Sequence, residues 1–289
     1  MDKRVIALGF FDGVHRGHGA LLRAVAAHAR ELNASPAALL FEEHPQKVIG
    51  GKLSLINTTR EREFLMRKLY GINDVVHIPF DDALRHMNWE VFAREVLVNK
   101  LCACYTVAGY NYRFGYMGNG TPELLNAVCP CDIIPPVMQD GTPISSTRIR
   151  ALIENGNMRR AEALLGHPHI IISPVMAGNQ LGRTLGIPTI NQHFESGILV
   201  PRLGVYSSRV CVDGMCYKGV TNIGVRPTVE TSAAPRAETH IIGFDGNLYG
   251  REVELQFVDF LRPELRFSSV LELKTQIEHD IEATKNAPA

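Results

Sequence analysis

The sequence predicts two successive domains, an α/β domain built on a helix-covered parallel sheet and a β-rich domain of barrel type. Three observations carry this expectation. The chain has 289 residues, more than one domain usually holds, and its 45% hydrophobic content is enough for two cores. Short apolar runs alternate with helix-period segments through the first half, the pattern of a parallel sheet covered by helices. Beyond about residue 169 the texture changes to closely spaced β runs punctuated by turns, as in a small antiparallel barrel.

Taken in order, residues 5–8 are an apolar strand and 19–33 a helix. In that helix Leu21, Leu22, Val25, Ala26, Ala29 and Leu32 form one stripe, with Arg23, Arg30 and Glu31 opposite. A strand follows at 37–41, a helix at 58–70, a strand at 75–78, a helix at 90–99 and a strand at 105–108. Residues 147–153 and 158–165 read as short helices broken by Asn155-Gly156-Asn157. Gly166-His167-Pro168 then stops the helical pattern, which sets domains of 1–166 and 167–289.

The second domain offers strands at 170–175, 204–212, 215–222, 238–244 and 252–260, with Asp213-Gly214 and Asp245-Gly246 as hairpin turn signals. It closes with an amphipathic helix over 268–284, whose Val270, Leu273, Ile277 and Ile281 share the face expected to pack on the barrel.

Thirty basic and thirty acidic side chains cancel, so the basic excess that binds nucleic acid by counterion release is missing. A small-molecule substrate is favoured and no nucleic-acid partner is expected. The opening Met1-Asp2-Lys3-Arg4-Val5-Ile6-Ala7-Leu8-Gly9 is too short for a signal h-region, and no apolar run approaches a membrane span. A cytoplasmic location without a membrane partner is the expectation. Of six cysteines, four form C-x-C pairs at Cys102/Cys104 and Cys129/Cys131. Zinc ligation is one reading of these pairs, but a C-x₂₋₄-C knuckle is the usual spacing, and small apolar free thiols in a buried strand are the plainer one. Nothing calls for disulfides.

The first strand runs into Gly9-Phe10-Phe11-Asp12-Gly13-Val14-His15-Arg16-Gly17-His18 and then a helix, the strand–loop–helix context of an anion site. Gly9, Gly13 and Gly17, with Phe11 between them, let backbone approach a phosphate. His15 and His18, at a helix start, can donate to a triphosphate as charge develops on leaving pyrophosphate. No protein nucleophile is needed. Ser145-Ser146-Thr147 supplies hydroxyls and free amides at another helix start, and Arg150 adds a charge one turn on. Read alone, that block is a helix cap.

The decapeptide resembles nucleotidyltransferases with a HIGH-type signature and, more narrowly, the FMN adenylyltransferase module of bacterial bifunctional riboflavin kinase/FAD synthetases. Phe41-Glu42-Glu43-His44-Pro45, Gly109-Tyr110-Asn111-Tyr112-Arg113-Phe114-Gly115 and Ile144-Ser145-Ser146-Thr147-Arg148-Ile149-Arg150 are similar to further blocks of that module. The resemblance adds Asn111 to the ATP-binding candidates. Phe10, where Asn is common, and Glu43, in place of a Pro, depart from the pattern.

Gly178-Asn179-Gln180-Leu181-Gly182-Arg183-Thr184-Leu185-Gly186-Ile187-Pro188-Thr189-Ile190-Asn191 combines glycine amides for phosphate with hydroxyl and amide oxygens for a hard cation. It is neither a Walker A loop nor a kinase Gly-rich loop. It resembles the riboflavin kinase signature, as do Gly204-Val205-Tyr206, the segment 219–228, Glu238-Thr239-His240 and Leu248-Tyr249-Gly250. That resemblance implies Thr189 and Asn191 at Mg²⁺ and ATP phosphates, Gly178, Gly182 and Gly186 as phosphate-cradling turns, and Glu238 as the base toward the ribityl 5′-hydroxyl. Arg183 and Arg226 stay outside the catalytic set. Pro174 departs from the usual Gly in the module's first strand, and a proline suits only an edge or a strand end.

Together the resemblances imply a Rossmann-like nucleotidyltransferase domain, then an all-β six-stranded Greek-key-type barrel with a C-terminal helix. They imply a bifunctional enzyme acting on riboflavin, FMN and ATP with Mg²⁺.

Overall fold

A computed structural model of the chain describes residues 2–41, 53–177, 182, 186–225 and 235–287. Gly178, Glu43, Arg183 and Arg226 therefore lie outside the described residues. Two compact units are present, one of Met1–Ser54 with Thr58–Ser146, the other of Leu55–Asn57 with Thr147–Ala289.

In the first unit β1 (Arg4–Leu8) leads through a tight turn into α1 (Arg16–Glu31), followed by β2 (Ser35–Phe41), α2 (Thr59–Tyr70) and β3 (Asp74–Ile78). A helical stretch, Trp89–Val91 continuing into a π-helical Phe92–Lys100, precedes β4 (Ala103–Gly109), α3 (Pro122–Asn126) and β5 (Cys131–Ile134). All four pairings are parallel, in the order β3-β2-β1-β4-β5. Val5, Ile6, Ala7 and Leu8 are buried, as strands covered on both faces must be, which is why they read as an unbroken apolar run. Strand order reverses beside β1, so the connections that leave β1 and β4 part and a crevice opens beyond the C-terminal ends of these two strands. A small hairpin of β6 (Met138–Gln139) and β7 (Thr142–Pro143) ends the unit.

Local chemistry fits these bounds. Thr58 caps α2 in a capping box with Glu61, and Gly71 ends it at φ 68°.

Helices α4 (Ser146–Glu154) and α5 (Met158–Leu165) open the second unit, where α5 packs on β8 and β13. Its strands are β8 (His169–Pro174), β9 (Thr189–His193), β10 (Gly204–Val212), β11 (Met215–Gly224), β12 (Arg236–Ile241) and β13 (Glu252–Arg262). They form an antiparallel sheet in the order β8-β13-β10-β11-β12-β9. Strand β13 returns beside β10 after the β10-β11-β12 meander, which is a Greek key. The edges approach each other where Met176 N–H donates to Asn191 O at 2.8 Å, curling the sheet toward a barrel. Pro174 is the last residue of β8, an edge strand, where its missing N–H costs no ladder bond.

Four expectations are corrected. Strand β12 stops at Ile241 rather than 244, and Asp245-Gly246 lies in the connection between the unpaired β12 and β13, not in a hairpin. Asp213-Gly214, by contrast, turns β10 into β11 with φ 52° and 78°. Helix α6 (Val270–Asn286) packs on β10 and β11, but Val270 is 63% exposed at its first turn, before the helix reaches the barrel. Cys211 and Cys216 form a disulfide, because the hairpin sets them directly opposite each other. The other four thiols are free, and Cys129 is buried. No helix among the described residues is long and apolar enough to cross a membrane.

Candidate active sites

The crevice at the C-terminal edge of the first sheet is a cavity of about 420 Å³. Gly9 follows β1, His15, Gly17 and His18 start α1, Asn111 follows β4, and Ser145 and Ser146 close the far wall; all seven line it. Residues 9–18, 111 and 145–146, three segments distant in sequence, thus meet at the edge where the parallel strands end.

The β1–α1 turn is backbone-strained. Phe11 at φ 59° and Val14 at φ 40° occupy left-handed backbone that non-glycine residues avoid, a β-branched one above all, and Gly13 between them has φ 80°. Val14 N–H donates to Phe11 O at 3.0 Å, and Ser146 Oγ donates to Asp12 O at 2.9 Å, tying the turn to the first residue of α4. Phe11 and Gly13 shape this turn from beneath and do not line the cleft. Thr147 and Arg150 follow on α4 within the second unit, with Arg150 Nη1 3.5 Å from Thr147 Oγ1.

His15 is the N-cap of α1: its Nδ1 accepts from the His18 N–H at 3.3 Å, so the neutral ring carries its proton on Nε2. The two imidazoles stack with centroids 3.6 Å apart. Burial, then His15, then Arg62 push the His18 pKa well below the ordinary imidazole value. His18 is therefore a neutral hydrogen-bond donor near pH 7. A Cβ on Gly17 would stand 3.0 Å from the His15 ring, so glycine is what lets the imidazole lie over the helix start. Neutral donors and the free N–H groups of a helix terminus form a site for a polyphosphate.

The second unit holds two cavities, of about 270 Å³ and 480 Å³, and Thr189 lines both. Glu238 and Gly182 line the smaller. Thr189 Oγ1 donates to Glu238 Oε1 at 2.9 Å, and Asn191 and Asn222 flank Glu238 in register on β9 and β11. Alternation along β9 sets Thr189 and Asn191 on the same face as Glu238. Asn191 is buried and lines neither cavity, and neither does Gly186, which turns at φ 74°. A Cβ on Gly182 would overlap the Ile187 carbonyl and come within 3.3 Å of Thr189 Oγ1, so the chain passes close above the pair only as glycine.

Sequence reasoning missed two features. Arg262 on β13 and Asp280 on α6 form a bidentate ion pair at 2.7–3.1 Å in the wall of the smaller cavity, fixing α6 against the sheet. In the first unit, fully buried Arg62 donates to Phe10 O at 2.7 Å and Phe41 O at 3.4 Å. The only sequence signal at Arg62 was a cation in the first turn of a helix, where the dipole disfavours one. For the Arg262–Asp280 pair there was none.

Comparison with known proteins follows the two units. Residues 1–148 match the family model described as FAD synthetase, and residues 165–287 the one described as riboflavin kinase. A bifunctional riboflavin kinase/FMN adenylyltransferase of Haemophilus influenzae is 35% identical over 97% of this chain and 92% of its own. One of Bacillus subtilis is 31% identical over 96% and 90%. A crystal structure described as a macrolide-efflux protein from Streptococcus pneumoniae is similar with a TM-score of 0.87 and 31% identity, covering 99% of this chain and 95% of that one. With both family models matched in order, and relatives of this identity aligned over nearly all of their length, the chain belongs to the bifunctional riboflavin kinase/FMN adenylyltransferase family.

Proposed function

We infer that this chain makes flavin cofactors in two ATP-dependent steps, phosphorylating riboflavin to FMN in the second unit and adenylylating FMN to FAD, with release of pyrophosphate, in the first. The Thr189–Glu238 pair carries the reading, because it stands where two cavities share a wall. Transfer of a phosphoryl group needs two substrates to meet at one carboxylate.

The smaller cavity presents Val205, Val220, Leu265, Phe267, Leu273 and Ile277, an apolar lining suited to a flavin ring. The larger, with Pro188, Asn247 and the Gly246 backbone, suits a nucleotide. In this reading Glu238 accepts the ribityl 5′-hydroxyl proton as that oxygen attacks the γ-phosphorus and ADP leaves. Thr189, donating to Oε1, fixes the carboxylate's orientation. The donor set fits Mg²⁺: Thr189 and Asn191 are hard neutral oxygens beside a carboxylate, a set that holds magnesium together with nucleotide phosphates. Bound there, Mg²⁺ would neutralise charge on the transferred group. Gly182 brings backbone close to the phosphates; Gly178 and Gly186 are proposed phosphate turns on sequence grounds.

In the first unit an FMN phosphate oxygen attacks the α-phosphorus of ATP and pyrophosphate leaves. His15 and His18 donate to the phosphates as neutral imidazoles, alongside the α1 amides, and Ser145, Ser146 and Asn111 hold the nucleotide from across the cleft. Thr147 and Arg150 are kept as phosphate contacts on sequence grounds. We assign adenylyl transfer to residues 1–166 and the kinase to 167–289, with a cytoplasmic location, as expected from the sequence. Purified protein supplied with riboflavin, ATP and Mg²⁺ should form FMN and then FAD, and supplied with FMN should form FAD. Absence of both products sinks the reading.

A further inference from the structure

Arg62 has so far no part in the chemistry, yet its environment is unusual for a cation. It is 0% exposed and sits in the first turn of α2, where both burial and the helix dipole work against positive charge. Such a residue persists where something else depends on it.

Three oxygens hold it. Nη1 donates to Phe10 O at 2.7 Å, and Nη2 to Thr59 Oγ1 at 2.8 Å and to Phe41 O at 3.4 Å. Phe10 lies just beyond the end of β1 and Phe41 ends β2, so both carbonyls emerge where the parallel ladder stops. Both residues line the adenylyl-transfer cleft. The guanidinium also lies against the Phe10 ring, 4.4 Å from its centroid. Attraction from Asp12 in the strained turn offsets part of the cost of burial; the guanidinium pKa falls to about 10, so it stays charged at neutral pH.

We propose that Arg62 is a positioning residue for adenylyl transfer: from behind the cleft its planar fork pins the ends of β1 and β2 together and seats the Phe10 ring. The β1–α1 turn that presents His15 and His18 then starts from a fixed point. Phe10, the departure from the family's usual Asn, becomes the ring on which the cation rests. A fork is required because two carbonyls from different strands must be held at once, which a lysine ammonium does with poorer geometry. The proposal rests on the first unit being the adenylyltransferase.

The test uses full-length Arg62→Met and Arg62→Lys beside wild type, with kcat and KM measured for FMN adenylylation and for riboflavin phosphorylation. Trp89, the single tryptophan, lies in the first unit, so its fluorescence reports whether that unit is folded. A displaced reacting group costs on the order of a hundredfold. Arg62→Met should thus lose about a hundredfold in adenylylation kcat with KM for ATP within about threefold, and Arg62→Lys about tenfold, both keeping kinase activity. Where the Met variant does not fold, the Lys variant decides. A folded Lys variant with wild-type adenylylation overturns the pinning role, as does equal loss of both activities. Wild type that fails to adenylylate FMN refutes instead the reading of the unit.

Discussion

His169 in the barrel core gives a pH-dependent stability that can be calculated. The ring is 1% exposed, neither nitrogen has a hydrogen-bond partner, and it stacks on Phe257 with centroids 5.6 Å apart. Burial, with His167 adding to it, lowers its pKa from 6.5 to about 3. The unfolded chain therefore binds this proton at higher pH than the folded one, and stability falls as pH drops below about 6.5. Between pH 7.5 and 5.0 the unfolded histidine goes from mostly neutral to mostly charged while the folded one stays neutral. At about 1.4 kcal/mol per pH unit this removes about 2 kcal/mol. His169→Phe keeps the ring contact and eliminates two unsatisfied nitrogens, so the variant should match or exceed wild type at pH 7.5 and be more stable by about 2 kcal/mol further at pH 5.0. Amide exchange of β13, which pairs with β8 at Phe257–His169, reads this unit alone, separate from His18, whose lowered pKa acts in the same direction elsewhere. Equal pH slopes in the two proteins would refute the argument.

Three further outcomes are expected. Glu238→Gln should lower riboflavin phosphorylation by about 10²–10⁴-fold, read as FMN formed per unit time, and leave adenylylation of added FMN within twofold. His18→Ala should do the opposite, cutting adenylylation by about a hundredfold while the kinase is unchanged; loss of both activities from either change in folded protein contradicts independent sites. Asp280→Asn takes the charged partner from half-buried Arg262, so the second unit should lose about 1–3 kcal/mol by chemical denaturation and riboflavin KM should rise as α6 loosens from the cavity wall. An unchanged KM would separate the ion pair from flavin binding.

How much of this was legible in the chain depended on whether the signal was local. The buried strand β1 stood out because parallel strands covered on both faces must be apolar throughout, and α1 because one face alone is buried. The Asp213-Gly214 turn was readable because type I′ geometry demands positive φ at both residues. Asp245-Gly246 carried the same local signal and failed, since β12 and β13 are separated in the sheet by β10 and β11, a matter of sheet order that no turn residue encodes. The Cys211–Cys216 bridge followed from hairpin register, which C-x-C spacing did not suggest.

The sequence by itself determined which residue types could do chemistry and the order of the two units, because His-x-Gly-His, Ser-Ser-Thr and Pro-Thr-x-Asn are contiguous words whose backbone and side chains act together. Tertiary structure alone decided which words share a cavity. It brought Asn111 and Ser145 to His18 and set Thr189 against Glu238. It also created Arg62 and the Arg262–Asp280 pair as parts of the sites. These last contacts join residues tens of positions apart, or cross from strand to helix, and their worth comes from burial and directional hydrogen bonding. Both exist only once the chain has packed.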